Sequence, residues 1–248
     1  MVKKFKIVIP ARFNSSRLRG KPLKKILGKE MIVRVAEICK KVVNKKDIII
    51  ATDHVKIKKV CEKNNFKTIM TSKKCKTGTD RVFQAVKNIK NSFFINVQGD
   101  EPLIDPSDIK KIINAKKKYK NYVICGYCNV SYNDAKSTNI PKIVINKFSD
   151  LIYISRALVP SQKNKKGIKN FNYFKQVCIY AFNLLELKKF YSMQGKSSVE
   201  NLEDIEILRF FDLKIPIKMV KVSNKSIAVD VDKDLIKVKK RLKENERY

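Results

Sequence analysis

Phe5-Lys6-Ile7-Val8-Ile9-Pro10-Ala11-Arg12-Phe13-Asn14-Ser15-Ser16-Arg17-Leu18-Arg19-Gly20-Lys21-Pro22-Leu23 joins a short apolar run to a loop that packs three Arg and one Lys around a single Gly. The run is rich in β-branched residues and stops at Pro10, the pattern of a strand buried on both faces of a parallel sheet. Open α/β sheets bind ligands beyond the carboxyl ends of their strands, and that is where this chain delivers its basic loop. Backbone N–H groups of a tight turn, together with cationic side chains, can hold the adjacent oxygens of a polyphosphate. The G-x-x-x-x-G-K-[ST] spacing of a Walker loop is absent. The plain alternative is a solvated basic loop in a very basic protein.

The 248 residues carry 56 Lys+Arg against 23 Asp+Glu, a formal charge of +33, yet only 9 of the basic residues are Arg and three of those lie in this loop. Where Lys dominates, Arg is favoured by a need for its planar fork, which grips phosphate bidentately. The charge by itself suggests a nucleic-acid-binding protein. Against that reading, the Lys are spread along the chain beside abundant Ile and Asn, with no dense basic arm and no recognition-module spacing. Six scattered Cys, no secretory signal before the first strand and no apolar run of the roughly 18 residues a membrane span needs predict a reduced, cytoplasmic protein with no membrane segment.

Strand patterns at 5–10, 47–52, 67–70 and 93–98 alternate with helical patterns near 30–43, 54–65, 78–89 and 106–118. Such alternation predicts βαβ crossovers and a mostly parallel sheet. After about residue 120 the pattern becomes α+β: strands at 122–131, 141–147, 173–182 and 216–222, a Lys-rich loop at 161–172, and helices near 185–192, 200–213 and 232–243.

Several segments carry candidate chemistry. Asp100 follows the apolar strand Phe93–Val97, and a carboxylate at a strand end beside a phosphate loop suits Mg2+, which takes one or two carboxylates plus substrate phosphates. It could equally cap a turn. A second carboxylate is offered by Asp230, Asp232 or Asp234, of which the latter two read as helix-start acids. Thr77-Gly78-Thr79-Asp80-Arg81 opens a helix and suits ribose or phosphate contacts through backbone N–H groups, or is an ordinary capped start. Arg156 has the fork to clamp a carboxylate. Cys125 and Cys128 lie three apart on a strand and so point to opposite faces, which disfavours joint chelation and leaves them structural thiols. His54 is the single His, so general-base chemistry by His is not expected.

The loop resembles the nucleotide-binding signature of the sugar-acid cytidylyltransferases, roughly I-P-A-R-x-x-S-x-R-L-P-G-K-P-L, and within them that of the 3-deoxy-manno-octulosonate (Kdo) enzymes. Similarity extends in order through Ala51-Thr52-Asp53-His54, Thr77-Gly78-Thr79-Asp80-Arg81, Val97-Gln98-Gly99-Asp100-Glu101-Pro102, Ser155-Arg156 and Val229-Asp230. The resemblance implies one α/β domain over 1–248 with a Rossmann-like, mostly parallel sheet of the nucleotide-diphospho-sugar transferase type. Residues 1–120 would form its CTP-binding half, and 121–248 an α+β sugar-acid half with a dimer arm. It implies transfer of CMP from CTP to Kdo, for lipopolysaccharide assembly, by a cytoplasmic homodimer with no specific nucleic-acid partner.

By the same resemblance, Arg12, Lys21, Asp100 and Asp230 would be catalytic, and Asp100 and Asp230 would hold Mg2+. Ala11, Arg12, Asn14, Ser15, Lys21, Ser72, Gly78 and Thr79 would bind CTP; Gln98, Arg156, Gln176, Tyr180 and Glu206 would bind the sugar acid. From the residues alone, Glu206 could instead be a buried helix acid paired with a Lys. Departures from the family pattern are Arg19 for Pro, Ser72 and Cys75 for Arg and His, Gln176 for His, Ile207 for Gln, and Val231-Asp232 for Thr-Pro. Those at 176 and 207 touch the acceptor pocket and raise 8-amino-3,8-dideoxy-manno-octulosonate, or another sugar acid, as an alternative acceptor.

Overall fold

Strand β1 (Phe5–Ala11) sends Ile7 and Ile9 into one apolar core and Val8 into another, as the two-residue period of a strand requires. The computed structural model describes residues 4–15, 17–161, 163 and 171–245. After β1 come a short hairpin, β2 (Lys25–Ile26) and β3 (Lys29–Glu30), then α1 (Met31–Lys40), β4 (Ile48–Thr52), α2 (Val55–Lys63), β5 (Lys67–Met70), α3 (Gly78–Val86), β6 (Phe93–Val97) and α4 (Pro106–Lys118). The second half adds β7 (Val123–Val130), α5 (Tyr132–Ala135), β8 (Lys142–Ile145), β9 (Leu151–Ser155), β10 (Tyr173–Phe182) and α6 (Leu184–Ser192). It ends with α7 (Ser198–Glu203), α8 (Arg209–Asp212), β11 (Ile217–Lys221) and α9 (Asp232–Asn245).

A nine-stranded sheet runs in the order β11-β7-β10-β6-β1-β4-β5, with β8 and β9 off that path. β5, β4, β1 and β6 are parallel, and β11 is parallel to β7. The fold is therefore mixed α/β with a mostly parallel sheet, as the alternating pattern predicts. β10 is antiparallel to both β6 and β7, so its first half, not its end, meets the ligand-binding edge of the sheet. The β8–β9 hairpin hangs from that same stretch of β10.

Residues of α1, α2 and α4 pack in the first core, and residues of α3, α6 and α8 in the second. Cys128 belongs to the first and Cys125 to the second, so the pair faces opposite sides of β7. Burial pushes the Cys125 thiol up to about 12, which keeps it protonated. All six cysteines are free. A smaller third core joins Leu18 of the basic loop to Ile26, Met31, Val229, Leu235 and Val238.

The structure corrects three expectations. β9 is a strand the pattern reading passes over; its hairpin turn is built by the Asn146 side chain, whose Oδ1 accepts the N–H groups of Phe148 and Asp150, each at 2.9 Å. The helix expected at 200–213 is instead α7, a 3-10 turn over Glu206–Leu208, and α8. Asp204 stands in the left-handed region at φ 49, and Ile205, Ile207, Leu208 and Phe210 are all buried, a spacing that one regular helix cannot point inward. The β2–β3 hairpin was not anticipated either; Leu27 and Gly28 turn it with positive φ at both positions. Of the Lys-rich loop, residues 162 and 164–170 lie outside the described residues.

Candidate active site

Gly20 has φ 67, a conformation open to glycine at little cost, and its N–H closes the basic loop onto the Phe13 carbonyl at 3.0 Å. Leu18, buried in the third core, anchors the loop against Val229. The N–H of Val229 in turn donates to the Asp100 carbonyl at 2.9 Å, which sets Asp230 beside Asp100. Gly99 permits the approach from the other side, because a Cβ there would lie 2.8 Å from the Pro10 carbonyl oxygen. Three stretches far apart in sequence thus meet at one point.

At that point the Lys21 ammonium lies 2.5 Å from Asp100 Oδ2 and 3.3 Å from Asp230 Oδ1, and Arg17 reaches Asp230 Oδ1 at 3.1 Å. Burial works against the Lys21 charge, yet the two carboxylates outweigh it and hold its pKa above that of an ordinary lysine. Asp234 is a cap: its Oδ2 accepts the N–H groups of Asp230 and Val231 at 3.0 and 3.1 Å. Two converging carboxylates fit the oxygen preference of Mg2+. Among the described residues no cluster of three or more His, Cys, Asp or Glu could hold a metal by itself, so further ligands would come from substrate and water.

Lys21, Asp100 and Asp230 line a cleft of about 460 Å³, the size of a small-molecule site. The first half contributes Ala11, Arg12, Lys21, Gly78, Gln98 and Asp100 to its walls; the second half contributes Arg156, Gln176, Tyr180, Glu206 and Asp230. A neighbouring recess of about 300 Å³ shares Arg12 with the cleft and adds Asn14, Arg19 and His54. His54 stacks on Phe13 with centroids 3.9 Å apart and caps α2, its Nδ1 accepting the Lys56 N–H.

Three expected CTP contacts line neither space. Ser15 lies in the loop without reaching either cavity. Ser72 turns its hydroxyl onto the Lys74 N–H at 3.0 Å, and Cys75 takes its place on the wall. Thr79 is 1 % exposed, and its N–H, left over at the start of α3, donates to Glu206 Oε2 at 3.1 Å. Glu206 therefore satisfies a helix N-terminus and has no Lys partner among the described residues; burial pushes its carboxyl up.

Arg156 departs most from expectation. The left-handed Asp204 ends α7 and leaves carbonyls without helical partners, and the guanidinium satisfies them: Nε donates to Glu203 O and Nη2 to Asp204 O, while Nη1 donates to the Thr138 and Asn139 carbonyls. Its fork is spent on backbone, so it borders the cleft as a strut and not as a free clamp. Gln176 donates to the Tyr180 hydroxyl at 3.2 Å and reaches Cys125 Sγ at 3.6 Å.

Two positioning groups have no role assigned from the sequence. Asp53 accepts the Phe13 N–H at 3.0 Å with one oxygen and Arg81 at 3.0 Å with the other, tying the start of the basic loop to α3. Arg209, 1 % exposed, binds both Glu200 oxygens at 2.6 and 2.7 Å and Asp80 at 3.1 Å. Asp80 caps α3 and Glu200 caps α7, so one guanidinium joins the starts of two helices that border the cleft.

Comparison with known proteins gives a concordant picture. A family profile described as cytidylyltransferase matches residues 6–218. The chain is 33% identical over 242 residues to the 3-deoxy-manno-octulosonate cytidylyltransferase of Elusimicrobium minutum, covering 96% of this chain and 98% of that protein. The Escherichia coli protein of the same name is 33% identical, with 94% of each chain covered. The solved structure of CMP:2-keto-3-deoxy-manno-octonic acid synthetase complexed with CTP superposes with a TM-score of 0.90 at 32% identity, over 98% of this chain and 99% of that one. The 4-diphosphocytidyl-2C-methyl-D-erythritol synthase of Anaerococcus prevotii, 17% identical with a TM-score of 0.61 over 97% of this chain and 99% of that one, shares the fold.

Proposed function

This chain belongs to the cytidylyltransferase family, and from that premise we propose that it transfers CMP from CTP to the anomeric hydroxyl of 3-deoxy-manno-octulosonate, releasing pyrophosphate. The observation that carries the reading is the meeting of Lys21, Asp100 and Asp230 on one cleft. The bond formed joins the acceptor oxygen to the α-phosphorus; the bonds broken are that from the α-phosphorus to the bridging oxygen, which leaves with pyrophosphate, and the acceptor O–H, whose proton passes to water. No covalent enzyme intermediate is needed. Arg12 and Lys21 neutralise charge on the β- and γ-phosphates, and Gln98, Gln176 and Tyr180 orient the acceptor, so positioning and fixed charge supply most of the acceleration. Mg2+ held by Asp100 and Asp230 would add Lewis-acid charge stabilisation and lower the acceptor hydroxyl's pKa.

We propose further that the protein works as a homodimer in the cytoplasm, for lipopolysaccharide assembly and with no specific nucleic-acid partner. The dimer is supported by an outer hairpin with Phe148 64%, Ile152 55% and Tyr153 39% exposed, because apolar groups clustered at a strand edge favour a partner. Six free cysteines fit a reducing compartment. Among the described residues no helix is long and apolar enough to cross a membrane.

Pyrophosphate release should be measured over CTP, ATP, GTP and UTP against Kdo and its 8-amino-8-deoxy form. Release is expected with CTP and Kdo. A signal confined to the amino sugar would change the acceptor, and none with any sugar acid would sink the assignment.

A further inference from the structure

Asp100 and Asp230 already have cationic partners. Lys21 touches both, and Arg17 touches Asp230. Both cations belong to the basic loop, and Lys21 was assigned above to the triphosphate, so its side chain faces two claims. The Lys21 side chain is 13% exposed and the Arg17 side chain 56%. Solvent therefore screens the Arg17 contact far more than the Lys21 contact. The backbone around Lys21 is fixed by the Gly20 turn and the 3-10 turn through Pro22, while its four-carbon stem leaves the ammonium free to change partners.

We infer that Lys21, with Arg17 as a weaker second, competes with a divalent cation for the Asp100 and Asp230 oxygens, and that the triphosphate relieves this competition by drawing the two side chains onto itself. The inference rests on the cytidylyltransferase reading. It makes nucleotide and metal loading cooperative beyond their direct contact: phosphate oxygens take up Lys21 and Arg17, and the carboxylates become available to the ion. By linkage, the ion tightens CTP by the same factor that CTP tightens the ion. Loading the metal without nucleotide is disfavoured, because it would set a divalent charge against an ammonium held to the same oxygens.

The test is Mn2+ binding followed by the electron paramagnetic resonance of the free ion, without acceptor so that no turnover occurs, first without CTP and then with it. Lys21→Met should bind Mn2+ alone roughly tenfold or more tightly than the wild type, Arg17→Ala less so, and Lys21→Arg should stay near the wild type. In Lys21→Met, CTP should bind more weakly, and the factor by which it tightens Mn2+ should shrink. A gain in affinity cannot arise from misfolding. If Lys21→Met binds Mn2+ alone no tighter, while the wild type takes up Mn2+ with CTP, the competition is overturned and the two-carboxylate site stands. If the wild type takes up no Mn2+ even with CTP, both fall.

Discussion

Asp100→Asn should slow nucleotidyl transfer by about two to three orders of magnitude, the usual cost of losing one preorganised electrostatic group. The substitution keeps shape and volume. It also spares the Asp100 carbonyl, whose bond from the Val229 N–H at 2.9 Å brings the C-terminal segment into place. What disappears is one formal charge, and with it both the salt bridge to Lys21 at 2.5 Å and half of the carboxylate pair proposed to hold the metal. The loss should fall on kcat more than on the KM for CTP, because the phosphate-binding cations remain. Initial rates of pyrophosphate release at saturating CTP, with a thermal melt to verify folding, decide the matter. A variant within a few-fold of the wild-type rate would remove Asp100 from the chemistry.

Arg209→Met should have the largest effect on stability, about 3–5 kcal/mol. Methionine fills much of the volume, but two carboxylates are left without their counter-charge in places where water does not reach: Glu200 is 0% and Asp80 is 5% exposed. The stacking of the guanidinium on Phe190, 3.8 Å from the ring centroid, is lost as well. Urea unfolding measures the loss directly. Adding Glu200→Gln to Arg209→Met should recover part of it, since neutralising the stranded acid removes much of the penalty. A single variant within about 1 kcal/mol of the wild type would refute a role for charge pairing at this position.

The sequence made legible those parts of the molecule whose signal is local. Ile7, Val8 and Ile9 announce a strand buried on both faces, and the strand-helix alternation to residue 118 survives with no end shifted by more than three residues. Cys125 and Cys128 fall on opposite faces for the same periodic reason. What stayed hidden depends on pairings that no local pattern encodes. Nothing near Arg156 says that a break at Asp204 will release carbonyls for its fork to satisfy. Nothing near Ser72 says that its hydroxyl is needed by its own turn. Arg209 offered a weak clue, a scarce Arg in a Lys-rich chain, and the same clue that singled out the basic loop could have found it.

The third core has a consequence for the order in which the molecule becomes competent. Val229, Leu235 and Val238 clasp Leu18, so the basic loop waits for a segment made long after it. A nascent polypeptide halted after β11 possesses every strand seen among the described residues yet lacks Asp230 and the clasp. Its cationic turn is then unsupported, and the proposed site is complete only once the segment through Val238 has been made.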